Sequence, residues 1–294
     1  MKSITAACLA LLTCVFTRAE DAAALPAPLP ATDPSAGAVR VMTYNIFGGR
    51  NPDGARDFGR IATVIKTINP DLAALQEIDI GTERLQKRDL LKELAELTGL
   101  KPVFAEAMPY QGGSYGIGAL CKWPLENLKI TPLPTLPDIE PRTSFTAECR
   151  LPGGLAFTLV NTHLAAFDGE ALRIRQAEAL LQATPDAPAV LMGDFNATPE
   201  STPMKTLFAR WADAWAANTT PGHTVPVDAP RRRIDYILTN SPAWKTTRAE
   251  VGHAVFPGNA AWKTLVATAS DHQPVMAELE LKQAPAPAPT PDEK

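Results

Sequence analysis

The sequence has little cysteine, no excess of basic residues and no long apolar run after its first residues. Only four cysteines occur in 294 residues, and two of them, Cys8 and Cys14, fall within the first 19. The chain after residue 19 keeps two cysteines and can therefore form one disulfide at most. No later run approaches the roughly 20 apolar residues of a membrane-spanning helix. The 28 Lys and Arg are outnumbered by 32 Asp and Glu, which argues against a protein that grips long nucleic acid through its phosphates.

The first 19 residues have the pattern of a secretory signal peptide. Lys2 supplies a positive start, residues 4–16 are apolar or small, and residues 17–19 end in an alanine suited to cleavage. A lipoprotein cleaved before Cys14 is less favoured, because a threonine precedes that cysteine. We expect a secreted or periplasmic protein. Its mature chain keeps 26 Lys and Arg against 32 Asp and Glu, a net charge of about −6.

Two Ala- and Pro-rich segments enclose the region expected to fold. Residues 20–37 are predicted to be an unstructured linker and residues 284–294 a disordered tail, since neither holds enough apolar residues for a core. Residues 38–283 are a suitable length for one domain. Within them, Cys121 and Cys149 leave two interpretations open: a disulfide in an oxidising compartment, or two buried small hydrophobic residues.

Strands and helices alternate along residues 38–283. Alternating or short apolar runs predict strands at 39–46, 72–75, 115–120, 143–151, 155–162, 189–192, 234–238 and 274–281. Helical spacing predicts helices at 55–69, 88–98 and 170–182, and Thr202 before a proline predicts a further helix start. The prolines between 132 and 141 indicate a long loop. The alternation favours an α/β sandwich.

The stretch at residues 190–196 places two polar side chains at the end of a buried strand. Asp194 and Asn196 are two residues apart, so in an extended chain they share one face while Phe195 turns into the core. A carboxylate beside a carboxamide can position a water, bind a hard cation and donate to a phosphate oxygen. A plain turn is the alternative, because both side chains readily bond to nearby backbone.

Most of the polar candidates share this position at a predicted strand end, where sheets present their site residues. The candidates are Asn45, Glu77, His163, Asp194, Asn196, Asp235, Asp271 and His272. Taken singly, each has a structural explanation, such as a turn, a salt bridge or a satisfied core histidine. Their common placement favours one shared site.

Six short motifs resemble those of the endonuclease/exonuclease/phosphatase superfamily, the DNase I-like group, and occur in that family's order. They stand at 42–45, 75–77, 161–164, 193–196, 233–237 and 270–272. Residues 118–120 and 140–142 also resemble secreted bacterial members. The resemblance implies a four-layer α/β/β/α sandwich of two mixed β-sheets flanked by helices. It also implies a phosphoesterase that uses Mg2+, with Mn2+ or Ca2+ as substitutes.

The resemblance also implies a metal site. Glu77 would be the principal metal ligand, with Asn45 beside it and Asp271 near the metal. Some nuclease members carry an aspartate where this chain has Phe47.

The remaining motif residues would act on the phosphate. Asp194 would position or deprotonate the attacking water, and Asn196 would bond the developing phosphorane oxygens. His272 would contact the scissile phosphate, while Asp235 would orient it and favour its protonated form. His163 would contact the phosphate or the leaving oxygen.

Four further residues are predicted to bind the substrate: Arg142, Tyr115, Arg232 and Arg233. The last two stand just before the Asp235 strand, where a solvated loop is the alternative. The expected function is hydrolysis of a small, lipid or sugar-linked phosphate ester by a monomer. A secreted nuclease acting on DNA or RNA is the second choice, and nucleic acid is not the favoured partner. A catalytically silent binding module on the same fold is the alternative of another class.

Overall fold

Two six-stranded β-sheets pack face to face in the computed structural model, which describes residues 24–167, 169–184, 186–240 and 242–282. Helices cover the outer face of each sheet, so the predicted four-layer α/β sandwich is confirmed. The predicted signal peptide (1–19) and tail (284–294) lie outside the described residues. Among the described residues, no helix has the length and apolarity to cross a bilayer.

Most elements match the sequence prediction. The strands are β1 (Ala38–Asn45), β2 (Leu72–Ile80), β3 (Lys101–Tyr110), β4 (Gly113–Cys121), β5 (Leu125–Pro132), β6 (Thr143–Arg150), β7 (Ala156–His163), β8 (Ala189–Asp194), β9 (Ala212–Asp213), β10 (Asp235–Thr239), β11 (Trp244–Val251) and β12 (Val275–Leu281). The helices are α1 (Phe58–Ile68), α2 (Leu90–Thr98), α3 (Gly169–Ala183), α4 (Thr202–Phe208) and α5 (Ala260–Ala269).

The order of strands puts a parallel pair in the middle of each sheet. The first sheet runs β11-β12-β1-β2-β4-β3 and the second β5-β6-β7-β8-β10-β9. β1 with β2 and β7 with β8 are parallel, and within the described residues the other pairs are antiparallel. α1 and α3 make the crossovers that parallel neighbours require. Both sheets are therefore mixed, and the strand ends of the two parallel pairs lie close together.

α1 shows how local signals set a helix. The Asp57 side chain accepts from the Arg60 backbone N–H at 3.3 Å and caps the start. Asn69, with φ of 51°, ends the helix in the left-handed region. Ile61 and Ile65 are buried against the first sheet. The helix thus begins three residues later than the sequence pattern suggested, at its cap.

The core between the sheets contains both cysteines of the folded region. Cys121 on β4 and Cys149 on β6 are free and buried there, in opposite sheets. This arrangement agrees with the interpretation of two buried small hydrophobic residues.

The described part of the predicted linker at 20–37 lies against the folded domain and has no helix or strand at 24–33. The backbone N–H of Leu29 donates to the Thr67 carbonyl at 2.9 Å, and Arg40 Nη1 donates to the Pro30 carbonyl at 3.0 Å. The segment needs no core of its own, because polar groups of the domain hold its backbone.

Candidate active site

Strand register brings the candidate residues together. On β8, Asp194 stands opposite His163 of β7 on one side and Asp235 of β10 on the other. From the facing sheet, Asn45 at the end of β1 reaches across to it. Asp194 is only 1% exposed. The ends of three adjacent strands and one strand of the opposite sheet thus enclose a single carboxylate.

The Asp194–Asn196 stretch is both a turn and part of the site. The backbone N–H of Asn196 donates to Asp194 Oδ1 at 2.9 Å, and Asn196 has φ of 48°. Phe195 is fully buried and packs edge-to-face on Tyr236 with 5.4 Å between ring centroids. The two interpretations of this stretch are therefore compatible, since the turn is what aims both polar side chains at the cavity.

Asn45 links the two sheets at the site. Its Nδ2 donates to Glu77 Oε1 and to Asp194 Oδ2, each at 3.0 Å. Its Oδ1 accepts from the Phe47 backbone N–H at 3.1 Å. In this arrangement the amide holds two carboxylates in place, and its oxygen is turned away from them.

A bulge in β2 positions Glu77. The pairing of β2 with β4 shifts register between Leu75 and Ile78, and Glu77 has φ of 60°. Leu75 and Ile78 both face the helices, so Gln76 and Glu77 both take the opposite side. Gln76 Nε2 donates to Asn161 Oδ1 of the facing sheet at 2.9 Å. This buried bridge was missed, because the sequence pattern ends β2 at Leu75.

His272 is held by Asp235. Its Nδ1 lies 3.0 Å and 3.2 Å from the two Asp235 oxygens, and its Nε2 lies 3.7 Å from Asp194 Oδ2. Burial acts to lower the pKa of His272. The charge and hydrogen bond of Asp235, with the charges of Asp194 and Asp271, prevail and raise this pKa to about 10. His272 is accordingly an imidazolium at neutral pH.

The pKa of Asp194 lies near neutral pH. Burial, followed by the charge of Asp235, raises the pKa of Asp194 to about 7. The charge of His272 and the hydrogen bonds from Asn196 and Asn45 oppose this rise. A carboxylate with a pKa close to the working pH suits a general base.

His163 is neutral and its tautomer is set by Arg142. Arg142 Nη1 lies 2.7 Å from His163 Nδ1. A guanidinium can only donate, so Nδ1 accepts and Nε2 carries the proton. Burial, then the charges of Arg142 and His272, lower the pKa of His163 well below its usual value. The Nε2 atom lies 3.1 Å from Asn196 Nδ2, a second donor, and 3.5 Å from Asp194 Oδ2.

Glu77 and Asp271 form a set that suits a divalent cation. Burial raises the pKa of Glu77, and the charge of Asp271 adds to the rise while the hydrogen bond from Asn45 opposes it. Burial also raises the pKa of Asp271. Two half-buried carboxylates in each other's field are destabilised unless a positive charge joins them, and carboxylate oxygens are the ligands that hard divalent cations prefer. The residues present thus fit a divalent cation.

A second group, Asp194, Asp235 and His272, also has ligand atoms within 4.8 Å of one another. Here the imidazole is bonded to Asp235 through Nδ1, at 3.0 Å and 3.2 Å from its two oxygens.

Most of the candidate residues open onto one cavity of about 370 Å3. Those in its lining are Glu77, His163, Asp194, Asn196, Asp271 and His272. Asn45 and Asp235 lie behind them, each 1% exposed. They therefore act on the cavity through the residues that they hold.

The predicted substrate-binding residues divide into two pairs. Arg142 and Tyr115 line the same cavity. Arg232 and Arg233 line a separate cavity of about 310 Å3, and Arg233 is paired with Asp213 at 2.7 Å. The structure therefore does not bring this second pair to the cavity that Asp194 and Glu77 line.

Sequence reasoning also missed Arg50, Arg84 and Phe167, which line the cavity. Each stands on a loop that follows a strand carrying a candidate residue. That position was the available signal. Phe167 is 97% exposed at the rim.

Comparisons with known proteins identify the family and the fold. The model of the endonuclease/exonuclease/phosphatase family matches residues 42–272. A crystal structure of an endonuclease/exonuclease/phosphatase from Beutenbergia cavernae is 25% identical with a TM-score of 0.69, covering 85% of this chain and 73% of that one.

Two more distant structures share the fold. A mannosyl-6-phosphatase from Bacteroides thetaiotaomicron is 19% identical with a TM-score of 0.63, covering 82% of this chain and 99% of its own. The human nocturnin catalytic domain with bound sulfate is 20% identical with a TM-score of 0.64, covering 84% and 95%. No curated protein sequence matches the chain. Since the family model spans well over half of the sequence, the chain belongs to the endonuclease/exonuclease/phosphatase family, whose members hydrolyse phosphoester bonds and generally use divalent metals.

Proposed function

We propose that this chain is a divalent-metal-dependent phosphoric ester hydrolase that cleaves a phosphodiester or phosphomonoester by attack of water. The main support for the proposal is the position of the Asp194 side chain. Its carboxylate lies within 3.7 Å of an amide, a neutral imidazole and an imidazolium on the wall of one cavity. Phosphoryl transfer depends mainly on positioning and charge stabilisation, and these groups supply both.

Glu77 and Asp271, with Asn45 beside them, would hold Mg2+, which when bound supplies Lewis-acid stabilisation to the phosphate. For Asn45 to coordinate directly, its amide would have to present Oδ1 rather than Nδ2. In the present arrangement Asn45 instead keeps the Glu77 carboxylate in place.

The reaction assigns one task to each remaining group. Asp194 takes a proton from water while the water oxygen forms a bond to phosphorus and the bond to the leaving oxygen breaks. His272, already protonated, stabilises the charge on the phosphoryl oxygens, and Asn196 donates to them from the side. The His163 Nε2–H donates to the leaving oxygen, which takes its proton from solvent.

The favoured substrate is a small, lipid or sugar-linked phosphate. A cavity of about 370 Å3 falls within the usual size of small-molecule sites, and the chain is acidic overall, with a net charge of −4. A nuclease is the second candidate within the same chemistry. The signal-like first 19 residues support a secreted or periplasmic location, and a monomer is the proposed state.

Hydrolysis of bis(p-nitrophenyl) phosphate by the purified protein tests the proposal. We expect activity to vanish in EDTA and to return with Mg2+. Asp194→Asn should lower kcat by about 10³-fold, within the range of a lost general base, while the circular dichroism spectrum stays the same. Asp228→Asn is the matched control, because Asp228 is exposed and outside the cavity lining.

The outcomes separate the alternatives. Undiminished turnover in Asp194→Asn would overturn the mechanism. Metal binding without turnover of any phosphate ester would favour the silent binding module. Faster hydrolysis of DNA or RNA than of small esters would favour the nuclease.

A further inference from the structure

Three arginines gather around the loop that follows β1. Arg56 Nη1 donates to the Gly48 carbonyl at 3.2 Å. On the other side of Gly48, a Cβ placed on this glycine would stand 3.4 Å from both Arg84 Nη2 and Asp79 Oδ2. Arg50 follows two residues later. The backbone at Gly48 therefore brings two guanidinium groups together, with a third next to them.

One carboxylate serves this cluster. Asp79, whose side chain is fully buried, accepts from Arg84 Nε at 2.5 Å and from Arg84 Nη2 at 3.0 Å. Within the described part of the chain, neither Arg50 nor Arg56 has a carboxylate within 4.0 Å. Three positive charges thus share a single negative partner.

The resulting repulsion is visible at Arg56. Burial, and then the charge of Arg84, lower the pKa of Arg56, and the charge of Arg50 lowers it further. Only Asp79 acts in the opposite direction. An anion placed among these groups would relieve the repulsion.

Two of the arginines lie over aromatic rings. The guanidinium carbon of Arg50 lies 3.9 Å from the Phe47 ring centroid, and that of Arg84 lies 4.7 Å from the ring centroid of Tyr110. Stacking covers the face of a guanidinium and leaves the N–H groups at its edge available. Arg84 Nη1 has no hydrogen bond to any described residue. Such edges match the oxygens of a phosphate, sulfate or carboxylate.

Two of the three arginines open on the cavity, and Arg56 stands beside them outside its lining. Arg50 and Arg84 line the same cavity as Asp194 and His272. In the proposed reaction the scissile phosphate would meet His272, and Arg142 lines the same cavity. Arg50 and the Nη1 edge of Arg84 are therefore available to another anionic group of the same molecule.

We propose that Arg50, Arg56 and Arg84 form a second anion subsite, so that the substrate is a phosphoester carrying a second anionic group. This inference rests on the proposed phosphoesterase function. The second group is a phosphate, sulfate or carboxylate. A small bis-anionic molecule is favoured over a nucleic acid by the cavity of about 370 Å3 and by the net charge of −4.

A matched pair of substrates tests the subsite. Propyl 4-nitrophenyl phosphate and 3-sulfopropyl 4-nitrophenyl phosphate share a leaving group and differ in one sulfonate. We expect kcat/KM to be about tenfold higher for the sulfonated ester, mostly through KM, since one charge-assisted contact contributes roughly that factor. Raising the salt concentration should reduce the ratio.

Variants assign the preference to the cluster. Arg50→Gln should bring the ratio of the two kcat/KM values several-fold closer to one, and Arg56→Gln, which alters a residue outside the lining, should have a smaller effect in the same direction. Arg175→Gln is the matched control, because Arg175 is an exposed arginine of α3 outside the cavity lining. A ratio near one in the unaltered protein, or one that Arg50→Gln leaves intact, would overturn the proposal.

A binding measurement separates this inference from the proposed function. In EDTA, glycerol 1,3-bisphosphate should bind more tightly than glycerol 3-phosphate by calorimetry, and Arg50→Gln should remove the difference. If neither ester is hydrolysed but this difference is found, the proposed function fails and the subsite stands. If a short oligonucleotide binds at the cluster more tightly than the bisphosphate, a neighbouring phosphodiester is the second anion and the small-molecule assignment is wrong.

Discussion

The Nδ1 atom of His272 lies 3.0 Å from Asp235 Oδ2, and this contact sets both the orientation and the charge of the imidazole. Asp235 is buried and lies outside the cavity lining, so its effect on substrate passes through His272. The alkaline side of the pH–rate profile should therefore report on this pair.

Asp235→Asn should move that side to lower pH. In the unaltered protein, His272 has a pKa of about 10, so the active protonated form persists through neutral pH and is lost as the pH rises through that value. Without the Asp235 charge, the pKa falls and the loss begins at lower pH. Measuring kcat from pH 6 upwards checks this. An unchanged alkaline side would mean that Asp235 does not set the charge of His272.

Asn45→Ala should weaken the metal site. The change removes the amide that donates to Glu77 Oε1 and Asp194 Oδ2 at 3.0 Å, so both carboxylates lose this support and Asp194 keeps the Asn196 backbone N–H. The Mg2+ concentration for half-maximal rate should rise about 10–100-fold, as it does when the supports of metal ligands are lost. A titration of activity with Mg2+ measures it. Activity that saturates at the original concentration would contradict the proposed ligand set.

Asn161→Ala should destabilise the fold. Asn161 accepts from Gln76 and donates to the carbonyls of Leu75 at 3.1 Å and Gly118 at 2.7 Å. These groups would be left buried without their partner, at roughly 1–3 kcal/mol for each one that stays unsatisfied. Urea unfolding should show a loss of about 3 kcal/mol or more. A loss below about 1 kcal/mol would indicate that the bridge between the sheets adds little stability.

Arg142→Ala should change His163. Removing the guanidinium takes away both the donor at 2.7 Å from Nδ1 and a charge that lowers the pKa of His163. This pKa should therefore rise, although burial, the larger cause, still holds it below the usual value. Nitrogen NMR of the imidazole should show the Nε2–H tautomer in the unaltered protein and a mixture in the variant. An Nδ1–H tautomer in the unaltered protein would contradict the assignment.

The positions of the site residues followed from local patterns. Asp194 and His163 were predicted because apolar runs lead into them, and such runs depend on neighbours in sequence. The pairing that sets them side by side was not visible, because register across β7 and β8 is decided by tertiary packing. The six motifs indicated that these residues share one site, which the hydrophobic periodicity alone could not show.

Other features escaped prediction for physical reasons. β3 contains Pro102 and Pro109 and lies at a sheet edge, where proline is tolerated but weakens the strand pattern. Arg233 has the charge expected of a phosphate-binding residue, yet Asp213 binds it elsewhere. The sequence does not show which carboxylate an arginine pairs with, because that depends on the fold.

The bulge in β2 has a consequence for how this site can vary. Gln76 and Glu77 are neighbours in sequence, yet one joins the two sheets and the other faces the cavity from the same side of the strand. Deleting either residue would restore the regular alternation of side chains along β2. Only one side chain of this stretch would then face the second sheet. The shortened protein would keep either the hydrogen bond between its sheets or the carboxylate that faces the cavity, but not both. The bulge in β2 thus couples the stability of the fold to the composition of the site.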